Sequence, residues 1–172
     1  MIRALKALLA SGDLVNMKQL KLSTGFTLLE LMVVISIIAI LAAIAIPSFY
    51  SLIRNERIKS ASYNLFASLT VARSEAIKRN DDVTITPVTA GSWQDGWQVS
   101  AADGTDIKNQ GALAGIAVSG APASLTYKRT GRLSAAALPS FQFDINPADS
   151  NFIRCLTIEL SGLPRTKKGA CS

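Results

Sequence analysis

Histidine is absent from all 172 residues, so the chain lacks the commonest general base and the commonest metal ligand. There are only two cysteines, Cys155 and Cys171, and with scattered carboxylates they form neither a zinc-binding quartet nor a nucleophilic triad. No glycine-rich phosphate loop, internal repeat or low-complexity tract occurs. These absences point away from enzymes, and neither a cofactor nor a metal is expected. Charge is also missing from one long stretch, the apolar run from Leu31 to Ile46.

At the head of that run stands Gly25-Phe26-Thr27-Leu28-Leu29-Glu30, which places a single carboxylate five residues after a glycine. An ionisable group beside a membrane-length apolar helix costs about 2.5 kcal/mol or more at the bilayer centre, so it normally has a partner. Residues 26–46 would span about 31 Å as a helix, enough to cross the hydrocarbon core of a bilayer. Two plainer readings stay open. The run could be a simple signal anchor with Glu30 idle at the headgroup boundary. It could also be a secretory signal cut after Ala45, because Ala43-Ile44-Ala45 has the small-residue form of a cleavage site.

Upstream, residues 1–25 carry Arg3, Lys6, Lys18 and Lys21 against Asp13, as a cytoplasmic flank should. The far flank is basic as well, with Arg54, Arg57 and Lys59 against Glu56, so charge alone does not orient the segment. Translation from Met17 would leave a short leader, Met17 to Gly25, and residues 1–16 would then fall outside the translated chain. Loss of the leader removes about half of the net charge of +6. Beyond the apolar run, enough chain remains for one domain with one core.

Past Pro47 the helical pattern resumes, since a proline can kink a long helix without ending it. Ile58, Leu65, Leu69, Ala72 and Ala76 fall on one stripe at helical spacing, suited to packing on a sheet. Asn80-Asp81-Asp82 is a natural stop, so a helix from about Phe26 to Arg79 is expected, roughly 80 Å long. The remainder reads as β-rich. Strands are expected at Val83–Thr86, at Trp97–Val99 after a turn at Asp95-Gly96, at Leu125–Tyr127, at Phe141–Ile145 and at Phe152–Leu160. Between Ala90 and Ala123 the pattern is weak.

The basic leader ending in Gly25, then Phe26, Glu30 and the apolar helix, resembles the N-terminus of type IV prepilins and pseudopilins. The resemblance implies an α+β, pilin-like fold: a leader (1–25), a transmembrane and assembly helix (26–53), and a periplasmic head (54–172) that includes the second half of the helix. It implies processing at Gly25 and Phe26 by a prepilin peptidase, which cuts after the glycine and methylates the new N-terminus. Glu30 would neutralise that amino group, its own or a neighbour's, during filament assembly; a paired buried charge costs far less than an unpaired one. The implied partners are other major or minor pilins or pseudopilins, the peptidase, an inner-membrane assembly platform, and the lipid bilayer before assembly.

A narrower resemblance lies in Ala72-Arg73-Ser74-Glu75-Ala76-Ile77-Lys78-Arg79-Asn80, then Val83, Gly96-Trp97, Gly131-Arg132, Leu156-Thr157-Ile158 and Ser161-Gly162. This order is similar to the GspH/FimT family of minor pilins and pseudopilins. Members serve either as a minor pseudopilin of the type II secretion system or as a minor pilin of a type IV pilus, and some of the latter bind DNA for natural transformation. The head would face an oxidising periplasm, so a Cys155–Cys171 disulfide is expected, stabilising by about 3 kcal/mol on the chain-entropy model, with free buried thiols as the alternative. Such a bridge looks more like the pilus branch than the secretion branch.

DNA-binding members carry a glycine, arginine, any residue, arginine motif near the C-terminus. In Gly162-Leu163-Pro164-Arg165 the second arginine is present and the first is replaced by Leu163. Lys167 and Lys168 would add charge on what reads as a basic loop, giving Arg165, Lys167 and Lys168 as candidate contacts to double-stranded DNA. No aromatic follows residue 160, so base stacking is not expected there. A solvated basic tail or a contact with a neighbouring subunit is equally open. Charges between Asp81 and Asp106 are all acidic, whereas later ones are mostly basic. Lys128, Arg129 and Arg132 form a second candidate patch that would either join the C-terminal cluster or attract the acidic region of a stacked subunit.

Overall fold

The computed structural model describes residues 25–135, 137–145 and 151–171. The leader expected at 1–25 thus lies outside the described residues apart from Gly25. Among the described residues one helix, α1 (Leu28–Arg79), precedes eight strands: β1 (Val83–Thr89), β2 (Ser92–Ala101), β3 (Asp106–Gln110), β4 (Ile116–Ser119), β5 (Leu125–Tyr127), β6 (Ser140–Ile145), β7 (Ile153–Ile158) and β8 (Pro164–Lys168). The chain divides into two compact units between Ala43 and Ile44. Within the helix, Pro47 has no N–H to give the carbonyl of Ala43, so the backbone ladder is interrupted at that boundary.

In the first unit the described part of α1 is, Glu30 apart, predominantly apolar on every side, with Leu28, Met32, Ile35 and Ile38 all exposed. It is long and apolar enough to cross a membrane by length and composition. The second unit uses the helix differently. Ile58, Ala61, Leu65, Leu69, Ala72 and Ala76 are buried along one stripe, as their spacing predicts, with Ser62 and Ser68 buried beside them. Both serines return their hydroxyls to the helix, to the carbonyls of Lys59 and Asn64 at 2.8 and 2.9 Å, so neither is left unpaired in the core. At Asn80 the chain turns left-handed, and Asp81 and Asn80 donate back to Ala76 and Ile77 at 3.2 and 3.3 Å. That pair of bonds is a Schellman stop and satisfies two of the last carbonyls.

The strands form two antiparallel sheets of order β3-β2-β1-β5 and β4-β6-β7-β8. Inward residues of both sheets, including Ile85, Val99, Phe141, Phe143, Leu156 and Ile158, share one core with the helix stripe. Trp93 stands edge-on to Phe141 with centroids 4.8 Å apart, and its indole N–H donates to the Pro122 carbonyl at 2.7 Å. The result is the expected α+β architecture.

Several local expectations differ from the structure. The helix begins at Leu28, two residues later than Phe26. Asp95-Gly96 is not a turn: β2 runs straight through it, and the β1 register shifts there, from Pro87 opposite Trp97 to Thr89 opposite Ser92. Gly96 has φ 103°, and a Cβ at that position would sit 2.2 Å from the Gln110 carbonyl oxygen of β3, so glycine is required by a bulge inside a paired strand. The C-terminal basic segment is an edge strand, β8, where a loop was expected. Substituting Leu69, which is fully buried, by alanine is expected to cost about 2–5 kcal/mol, read as a fall in Tm by calorimetry, whereas exposed Tyr63→Ala should change Tm little.

Candidate functional site

The N-terminal motif has a local structural logic that the sequence reading missed. Thr27 caps the helix: its Oγ1 accepts the backbone N–H of Glu30 at 3.1 Å. Thr27 and Glu30 have the Thr-x-x-Glu spacing of a capping box, and a carboxylate in the first turn also faces the positive end of the helix dipole. The signal was present in the sequence as a threonine three residues before a glutamate. Gly25 and Phe26 precede the helix and are exposed.

The family motifs of the head converge on one point. The Arg73 Nε donates to the Gly131 carbonyl at 3.0 Å, and the Tyr127 hydroxyl donates to the Gly162 carbonyl at 3.1 Å. Gly131 and Gly162 both have positive φ, 74° and 86°, and their turns press together. A Cβ on Gly162 would lie 2.1 Å from the Gly131 oxygen, and one on Gly131 would lie 2.6 Å from Ile77 Cδ1. Arg73, Gly131 and Gly162 therefore lock helix, first sheet and second sheet together, and Tyr127 closes the group. Burial pushes the Tyr127 phenol well above its ordinary pKa, with the charge of Arg73 acting weakly the other way, so the hydroxyl remains a donor.

Cys155 and Cys171, the pair expected to join, are bonded in the structure. The bridge folds the C-terminal tail over the outer face of the second sheet, where the Cys171 N–H donates to Gln142 Oε1 at 3.2 Å. In β8, Arg165 lies opposite Thr157, Lys167 opposite Cys155 and Lys168 opposite Arg154. Strand alternation puts Arg165 and Lys167 on the outer face and Lys168 on the other, so the three cations do not share one surface. Arg165 is ion-paired with Glu159. Leu163 is half exposed beside a groove of about 310 Å³ lined by Phe66, Thr70, Arg73, Ile77 and Pro164, an apolar setting.

The second basic patch is partly spent within the chain. The Lys128 ammonium meets Asp82 Oδ2 at 2.8 Å, and Arg79 approaches Asp103 at 3.8 Å. Arg129 and Arg132 remain exposed on the turn that carries Gly131. The hydrogen bond from Lys128 holds the Asp82 carboxyl below its ordinary value of 3.8, and Arg79 followed by Lys78 lowers Glu75 in the same way. A depressed carboxylate stabilises the fold above its ordinary pKa and loses that contribution as pH falls through the lower folded value. Thermal stability should therefore decline below about pH 4, and less steeply in Asp82→Asn, as a Tm series between pH 5 and pH 2 would measure. In a second test, Gly162→Ala should destabilise beyond the ~1–3 kcal/mol of a strained backbone, because its Cβ meets backbone. Gly169→Ala, with φ 100° and open space around it, should cost the strain alone. Chemical denaturation of the two variants checks the difference.

Comparison with known proteins agrees with this arrangement. A prokaryotic N-terminal methylation motif matches residues 20–46. The type IV major pilin protein PilA of Myxococcus xanthus is 50% identical over 50 residues, covering 29% of this chain and 23% of that protein. A fimbrial protein of Pseudomonas aeruginosa is 38% identical over 65 residues, 38% of this chain and 42% of its own length. The chain thus spans less than half the length of these curated relatives. Among solved structures, the type IV minor pilin FimU of Pseudomonas aeruginosa overlays with a TM-score of 0.60 at 22% identity, covering 68% of this chain and 95% of FimU. The minor pseudopilin EpsH from the type 2 secretion system of Vibrio cholerae overlays at 0.51 and 16% identity, covering 64% of this chain and 96% of EpsH. Both share the fold. The family described as type II transport protein GspH matches residues 61–162, which hold the helix stripe from Ala61 onward, both locking glycines and the strands between them, and the chain belongs to that family.

Proposed function

We propose that this chain is a minor pilin of a type IV pilus. It would be made with a leader, cut after Gly25 and methylated on Phe26 by a prepilin peptidase. It would then wait in the bacterial inner membrane with its head in the periplasm, and be drawn by an assembly platform into or near the pilus tip among other pilins. The family consists of structural subunits, and the chain is not an enzyme. The observation that carries the proposal is a GspH-family head built on a helix that opens with the methylation motif. The C-terminal disulfide favours the pilus branch over a minor pseudopilin of a type II secretion pseudopilus. In this reading 26–53 is the assembly helix and 54–172 the head.

Glu30 would meet the methylated amino group of a neighbour. Glu30→Leu is expected to leave membrane insertion intact and to remove the chain from filaments sheared off cells, by immunoblot of both fractions. Finding the wild-type chain absent from sheared pili, with secretion of exported proteins lost on its deletion, would favour the pseudopilin reading. DNA uptake is a further part of the proposal, supported by the shared outer face of Arg165 and Lys167 on a strand tied down by the disulfide. Because Lys168 lies on the other face, a salt titration of DNA binding should give a log-log slope near about −2, reflecting two phosphates. Arg165→Gln with Lys167→Gln should abolish binding, whereas no binding by the wild type at low salt would remove DNA uptake from the proposal.

A further inference from the structure

The basic flank after the apolar run, Arg54, Arg57 and Lys59, has the charge expected on the side of a membrane where such a segment starts, not where it ends. The head gives it a context. β4 begins at Ile116, β6 ends at Ile145, β7 begins at Ile153 and β8 ends at Lys168, so these four strand ends lie together at one end of the second sheet. Two open cavities flank the helix there. One, of about 280 Å³, lies against Tyr50, Ile53, Arg54, Arg57, Gly115 and Ile145. The other, of about 300 Å³, lies against Ser48, Ser51, Asn55, Phe152 and Lys168.

We propose that this end of the head is a seat for an anionic phospholipid leaflet, with Arg57, Arg154 and Lys168 holding lipid phosphates. Arg154 and Lys168 face each other directly across β7 and β8, an arrangement of like charges that is unfavourable without an anion between or beside them. The Arg154 Nε is buried and has no hydrogen-bond partner among the described residues. Among the described residues, Glu56 is ion-paired with Lys59 at 3.6 Å, and Asp144, on the outer face, accepts from the Gln142 amide at 3.1 Å. Exposed Phe49, Tyr50, Leu52 and Ile53 carry the apolar surface up to the first of these cations. Aromatic and apolar side chains followed within one helical turn by arginines are the order of groups met on passing from acyl chains to phosphates. Juxtamembrane cations are drawn to anionic lipid over a distance set by ionic strength.

The seat rests on the membrane-anchoring part of the proposed function, and the experiment separates the two. The full chain is placed in nanodiscs of phosphatidylcholine alone or with phosphatidylglycerol, and amide hydrogen exchange is followed at residues 48–57 and 164–168. Exchange there is expected to slow by about threefold or more in the anionic discs at low salt, and to return to the neutral-disc rate at high salt. Arg57→Gln with Lys168→Gln, both exposed positions, should abolish the difference while leaving exchange around Leu69 unchanged. A chain that does not co-elute with discs would contradict anchoring and the seat with it. Co-elution with equal exchange in both lipids, or slowing that appears only when another pilin is added, would overturn the lipid seat alone.

Discussion

Everything in the head depends on one stripe of the helix, Ile58 to Ala76, being buried against both sheets at once. Its small members, Ala61, Ala72 and Ala76, let strands come close, and its large ones, Ile58, Leu65 and Leu69, fill the space between sheets. The same helix has no such stripe before Ile46, where apolar residues lie on every face and nearly all are exposed. The change from all-round to one-sided hydrophobicity marks where a segment long and apolar enough to cross a membrane gives way to the part that packs on the chain's own core.

The second constraint is backbone contact at Gly131 and Gly162. Two turns from different sheets touch with no room for a side chain, and the carbonyls they expose are taken by Arg73 from the helix and Tyr127 from β5. The joint brings together an arginine on the helix, a Gly-Arg pair and a Ser-Gly pair. They are three separate pieces of sequence that meet at one joint. Their hydrogen bonds and close backbone approach hold the sheets on the helix.

Much of this was legible in the residues. The buried stripe, the stop at Asn80 and the strand at Leu125–Tyr127 follow from periodicity and turn chemistry, and the cysteine pair from the oxidising compartment that the resemblance implies. Other elements were hidden for definable reasons. The strand β3 is built from Asp-Ile-Lys-Asn-Gln and has no buried member, so its signal lies in pairing with β2, which no local pattern reports. Gly96 looked like a turn because Asp-Gly usually is one, and only the close approach of the Gln110 carbonyl shows that it serves a bulge. The basic segment 164–168 reads as a solvated loop because three of its five residues are charged, a composition that also suits an exposed edge strand. That difference matters for function, because alternation along β8 separates Lys168 from Arg165 and Lys167.

The account stands or falls on the chain being a processed, membrane-held pilin-like subunit. The most direct measurement is the intact mass and N-terminal sequence of the protein recovered from membranes of cells that express a prepilin peptidase. The account predicts a mature chain beginning at Phe26 and heavier by one methyl group. A chain beginning at Ile46, or one that keeps residues before Phe26 in the presence of active peptidase, would contradict it.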